Sequence, residues 1–111
     1  MNIAIIIYSA DPETVWNAFR LGSASLAYDD EVNIFLLGKG VEVMSLKSLK
    51  YNIKEQAAIF TEHGGKMLGC ELCCNTREDE MPFLKQDINC DLGSMQDLYG
   101  LIKLADKVIT F

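Results

Sequence analysis

Four cysteines stand in this chain of 111 residues, and three of them, Cys70, Cys73 and Cys74, fall within five positions. The fourth is Cys90. A thiol can serve as nucleophile, redox centre or metal ligand, and spacing decides among these roles. Cys70-Glu71-Leu72-Cys73 is a C-x-x-C, the spacing of a catalytic disulfide pair. Thioredoxin-like motifs of that kind follow the first strand of their fold, whereas this pair follows the third expected strand. Zinc is the other rival, since Cys70, Cys73, Cys74 and Cys90 total four ligands. Adjacent Cys73 and Cys74 rarely both reach one tetrahedral ion, however, and a second C-x-x-C is absent. The residues point instead to Cys70 as a reactive thiol; Cys73 and Cys74 read first as inert cysteines and second as accessory thiols. The competing reading is an inert structural cysteine, for cysteine is among the most buried residue types.

Local charge bears on that choice. A helix starting just after Cys70 would present free N–H groups to the sulfur and lower its pKa. Glu71 would oppose this, and Arg77 would offset Glu71 if the chain folds back. Gly69 would leave the backbone side of the thiol open to a partner protein. His63 is the only histidine. It could shuttle protons, but its place before Gly64-Gly65 suits a helix-end cation facing the dipole.

The elements that must position Cys70 are readable from pattern. Residues 2 to 8 form a near-continuous apolar run, which suits a strand covered on both faces of a parallel sheet. Asp11-Pro12-Glu13 opens a helix that ends near Tyr28, with Val15, Phe19, Gly22 and Leu26 on one stripe. Gly22 suits close approach to the sheet. A second strand spans 31 to 37, and Gly38-Lys39-Gly40 breaks it. Asn52 caps a helix carrying Ile53, Ala57 and Phe60, and a third strand runs from Lys66 to Gly69. A short helix around Leu72 to Glu80 and a fourth strand over Gln86 to Cys90 are expected next. Ser94-x-x-Asp97 resembles a capping box. Leu98, Leu101, Ile102 and Ala105 follow at helical spacing, and Lys107 to Phe111 closes as a fifth strand. Strand and helix alternate, which predicts an α/β fold: a five-stranded, mostly parallel sheet with helices on both faces. Sites in such sheets form outside the carboxyl ends of the strands, where Cys70 falls.

Composition bounds the partners. The net charge of −6 repels phosphate backbones, so direct nucleic-acid binding is not expected. No apolar run approaches the roughly 20 residues that span a bilayer. The start reads as a strand rather than a signal peptide, which points to the reducing cytosol and to thiol chemistry over structural disulfides. The length suits a single domain over 1–111. Flavin mononucleotide would need a glycine- and hydroxyl-rich loop after the first strand. Ser9-Ala10-Asp11-Pro12-Glu13-Thr14 has no glycine and two acids. A phospho-receiver would need an aspartate ending the third strand, where Gly69-Cys70 stands. Val41, Val43, Met44, Leu46 and Leu49 crowd a short segment, a surplus that suggests a subunit interface.

The chain resembles the DsrE/DsrF-like family, which includes sulfur-relay Tus subunits and YchN-type proteins. The resemblance rests on the apolar first strand, on Val32-Asn33-Ile34-Phe35-Leu36-Leu37-Gly38-Lys39-Gly40-Val41, and on Gly64-Gly65 before a strand that ends at Cys70. It continues through Ala105-Asp106-Lys107-Val108-Ile109-Thr110-Phe111, so that it covers essentially the whole chain as one DsrE-like domain. It implies a flavodoxin-like three-layer fold and assembly into homotrimers or homohexamers. It also implies carriage of sulfur as a persulfide between a protein donor and a protein acceptor, in tRNA thiolation or sulfur oxidation, without a cofactor. The family cysteine maps onto Cys70 alone, which would make the chain a sulfurtransferase acting as a carrier. Cys73 and Cys74 depart from the pattern and leave open a disulfide or a bound metal. A non-catalytic oligomeric subunit is the alternative from a different class.

Overall fold

The computed structural model describes residues 1–111. The elements run β1 (Asn2–Ile7), α1 (Pro12–Ala27), β2 (Glu31–Leu36), a 3-10 helix (Gly38–Ser45), α2 (Ile53–Glu62) and β3 (Lys66–Cys70). They continue with α3 (Glu71–Asn75), α4 (Leu84–Asp87), β4 (Asp91–Gly93), α5 (Met95–Leu104) and β5 (Lys107–Thr110). The strand order is β4-β3-β2-β1-β5, and every pairing is parallel. β1 lies between β2 and β5, and Ile3 to Ile7 are all buried, as a two-sided apolar run requires.

The first three crossovers each step one place toward the β4 edge, and the last returns across the sheet to β5. Right-handed crossovers then put α1 and α2 on one face and α5 on the other. Caps set where these helices start. The Asp11 carboxylate accepts the Thr14 N–H, with Pro12 in the first turn, and Asn52 accepts the Glu55 N–H. Ser94 and Asp97 form a complete capping box.

The core lies between the sheet and the α1/α2 layer. Phe19 and Phe60 meet edge to face, with centroids 6.1 Å apart. Gly22 makes room for this contact. A Cβ there would come within 2.9 Å of the Phe60 ring but 3.5 Å from Ile34. The close approach expected of Gly22 is thus first to α2 and only second to the sheet.

Three expectations are corrected. The fourth strand is not Gln86–Cys90 but Asp91–Gly93, and most of the expected span belongs to α4 and the turn after it. The Asp87 and Ile88 N–H groups donate to the Phe83 and Leu84 carbonyls four residues back, each at 2.9 Å, which is helical bonding, and it buries Leu84 and Ile88 on one side. Asn89 then turns the chain at φ 50°. The helix expected over Leu72–Glu80 covers only Glu71–Asn75, with turns from Thr76 to Glu80. Finally, Val41, Val43 and Met44 are not a surface surplus. The 3-10 helix folds them into the chain's own core, and of the apolar residues in that segment only Leu49 stays fully exposed. Gly40 permits this, since a side chain there would collide with the Ile7 carbonyl.

Phe60 joins both helices to the sheet, so Phe60→Ala is expected to cost about 3–5 kcal/mol. Urea unfolding followed by circular dichroism measures the loss. A cost below about 1 kcal/mol would contradict the packing described.

Candidate functional site

Cys70 is both the last residue of β3 and the N-cap of α3. Its Sγ accepts the Cys73 N–H at 3.2 Å, the place a serine or aspartate oxygen ordinarily takes. The Cys73 Sγ in turn accepts the Gly38 N–H at 3.3 Å. The Cys73 carbonyl accepts from an Arg77 guanidinium N–H and from the Thr76 hydroxyl, each at 3.0 Å. The Arg77 Nε–H donates to the Glu42 carboxylate at 2.7 Å, which ties α3 to the 3-10 helix. The carboxyl edge of the sheet thus fixes the C-x-x-C from β2, from β3 and from the turn after α3.

The other two cysteines are close by. Cys74 is fully buried on the inner side of α3. Cys90 comes back beside Gly69: a Cβ on Gly69 would lie 3.6 Å from the Cys90 Sγ and 2.5 Å from Ile88 Cδ1. The space that Gly69 was expected to leave for a partner is therefore filled by Ile88 and Cys90. No group of three His, Cys, Asp or Glu residues has a geometry that could hold a metal ion.

Access to Cys70 comes from another direction. A cleft of about 370 Å³ opens between α3 and the first turn of α5, with Cys70, Leu72 and Asn75 on one side and Ser94, Met95 and Gln96 on the other. Leu72 and Met95 are exposed at its mouth. The Met95 and Gln96 N–H groups lie in a first helical turn and have no acceptor within the helix. A slightly larger cleft of about 390 Å³ between α2 and α4 contains no thiol.

Burial dominates the electrostatics. It pushes the Cys70 thiol above its ordinary pKa, and the adjacent Cys73 thiol adds to this. The Cys73 N–H pulls the other way without prevailing. The lowering expected from a helix start is thus present as a hydrogen bond but outweighed. Burial also raises Cys74, against Lys85 and Arg77, and pushes Cys90 up to about 12. Glu71 and Arg77, expected to act on Cys70, act on Cys74 instead. His63 caps α2 before the amino end of β3, the end opposite Cys70, and its Nδ1 lies 2.7 Å from the Ile59 carbonyl oxygen. It is a helix-end residue and does not reach the thiols.

Three parts of the site carried no signal at the level of residue type: the Gly38 N–H, Glu42 and the first turn of α5. Each becomes readable only once β4 is placed at Asp91–Gly93, or once β2 is known to end beside β3. The Ser94 capping box was legible, but not its nearness to Cys70.

The model of the DsrE/DsrF-like family matches residues 1–111. An uncharacterized protein of Methanocaldococcus jannaschii is 29% identical over 116 residues, covering 100% of both chains. The crystal structure of the YchN protein from E. coli superposes with a TM-score of 0.79 at 25% identity, over 100% of this chain and 99% of that one. A conserved protein of unknown function from Bacteroides thetaiotaomicron reaches 0.75 at 16% identity, over 99% and 95%, a likeness of fold alone. No helix is long and apolar enough to cross a membrane.

With its pKa raised above the usual 9.0, Cys70 is a thiol at neutral pH, and its thiolate fraction grows with alkalinity. Its alkylation rate, followed by peptide mapping, is expected to climb with pH through 9.0 without levelling off. A plateau already reached at neutral pH would contradict the burial effect.

Proposed function

The chain belongs to the DsrE/DsrF-like family, and from that premise and the Cys70 cleft we propose that it is a sulfur carrier that holds sulfane sulfur as a persulfide on Cys70. The observation that carries this reading is Cys70 at the carboxyl end of β3, lining a cleft, with its sulfur held by one backbone N–H. In the loading step the Cys70 thiolate attacks the outer sulfur of a donor persulfide. The new bond joins that sulfur to Cys70, the donor's S–S bond breaks, and the donor leaves as a thiolate. The Cys70 proton goes to solvent before attack. A protein acceptor then takes the outer sulfur by the same exchange. No cofactor is required, and the compartment is cytosolic.

The cleft suits a protein donor. Its rim offers the exposed side chains of Leu72 and Met95 as apolar contacts. A sulfur bound to a cysteine at the tip of a partner's loop can enter it, while bulk water gains little access to a residue that is 5% exposed. That low exposure, with the raised pKa, also favours a second reading: a structural thiol in a non-catalytic subunit.

Substitution separates the two. Serine keeps a side-chain acceptor at the α3 cap. Cys70→Ser is therefore expected to fold and to lose persulfide loading, whereas Cys73→Ser and Cys74→Ser retain it. Incubation with a sulfane-sulfur donor, followed at early times by intact mass, reads one added sulfur atom. Loading of Cys70→Ser equal to the wild type would remove the carrier reading. The family also supports assembly into a homotrimer or homohexamer, which light scattering at micromolar concentration tests. A monomeric mass would refute it.

A further inference from the structure

Carriage on Cys70 leaves a second thiol unexplained. Cys70 and Cys73 occupy the N-cap and the third position of α3, so they lie on the same side of one helical turn. The Cys73 N–H donates to the Cys70 Sγ, which places the Cys70 sulfur 3.2 Å from the backbone nitrogen of Cys73 itself. The position of the Cys73 sulfur is set in turn by the Gly38 N–H at 3.3 Å. Arg77, anchored on Glu42, holds the Cys73 carbonyl. A short α3 would otherwise fray, and these contacts keep the two thiols in register.

Cys74 is placed differently. It follows Cys73 by one residue, about 100° further round the helix. It is 2% exposed and lies near both Cys70 and Cys90, but it makes no hydrogen bond to the Cys70 sulfur. Cys73 is only half-buried. Of the three remaining cysteines, Cys73 alone has a direct hydrogen bond to the Cys70 sulfur.

We propose that Cys73 is the resolving thiol of this site: it attacks a Cys70 persulfide, releases hydrosulfide and closes a Cys70–Cys73 disulfide. This inference rests on the persulfide reading above. The Cys73 thiolate bonds to the inner sulfur, the Cys70 Sγ. The bond between the inner and outer sulfurs breaks, and its electron pair leaves with the outer sulfur as hydrosulfide. The Cys73 proton goes to solvent. The sulfane sulfur is reduced to sulfide while the two cysteines are oxidised to a disulfide, so the step needs no outside oxidant. An external dithiol then reduces the disulfide by two exchanges and restores both thiols. The site would therefore have two outcomes: transfer of sulfur when an acceptor is docked, and release as sulfide when none is.

The test incubates wild type, Cys73→Ser and Cys74→Ser with inorganic polysulfide and no acceptor, then follows intact mass and free sulfide over time. The wild type and Cys74→Ser are expected to gain a sulfur, lose it, and end two hydrogens lighter, with the disulfide mapped to Cys70 and Cys73 and sulfide released in equal amount. Cys73→Ser is expected to keep its added sulfur. Disulfide mapping in the wild type needs no variant, so a misfolded Cys73→Ser would not spare the inference. A wild type that holds its sulfur as long as Cys73→Ser, or a disulfide mapped to Cys74, overturns it while leaving the carrier reading intact. Absence of any added sulfur on a folded Cys73→Ser, with none passing through the wild type, overturns the carrier reading and this inference together.

Discussion

Parallel pairing obliges all five strands to end at the same edge, and the thiol site is a consequence of that constraint. β2 ends at Leu36, so the Gly38 N–H arrives beside β3. β3 ends at Cys70, and β4 ends at Gly93, so the first turn of α5 forms the facing wall of the cleft. The pairing itself depends on burial of both faces of β1 and β2. Their isoleucines, with Val32, Phe35 and Leu36, leave water almost completely. At roughly 25 cal/mol per Å² of apolar surface, that burial is the term that holds the strand ends in place. The hydrogen bonds around Cys73 then set angstrom-scale positions within a frame they do not themselves support.

Burial also governs the chemistry. A thiol buried at a strand end loses hydration of its charged form, and one N–H bond does not compensate. A thiol with a high pKa is seldom ionised at neutral pH, yet its thiolate is the stronger nucleophile when it forms. Such a group is slow toward small electrophiles in solution. It becomes effective when a partner enters the cleft and presents its sulfur at short range. That behaviour suits a carrier that should react with a docked donor and ignore free oxidants.

Much of the frame was legible in the sequence, for a physical reason. The run at 3 to 7, the Asp11-Pro12 start of α1 and the Ser94 capping box are local signals, and each element follows from its own residues. The segment from Glu71 to Gly93 was not legible. α3 and α4 are five and four residues long and β4 is three, too short for any period to declare itself. Leu84 and Ile88 stand four apart, a spacing that a helix and a strand share. The place of Cys70 at a strand end followed from order alone. Its raised pKa, the Gly38 contact to Cys73 across 35 residues and the return of Cys90 beside Gly69 did not, because they depend on tertiary packing. The apolar 41–49 segment misled for the same reason, since composition does not tell an interface from a core.

The most direct measurement takes the wild-type protein and Cys73→Ser from cells without reductant, blocks all sulfur groups by alkylation, and fragments the peptide that contains Cys70. An extra sulfur on Cys70 itself, more abundant in Cys73→Ser than in the wild type, is the expected result. A Cys70 free of added sulfur in both proteins, with none or with sulfur confined to Cys74 and Cys90, would contradict a carrier built on this thiol.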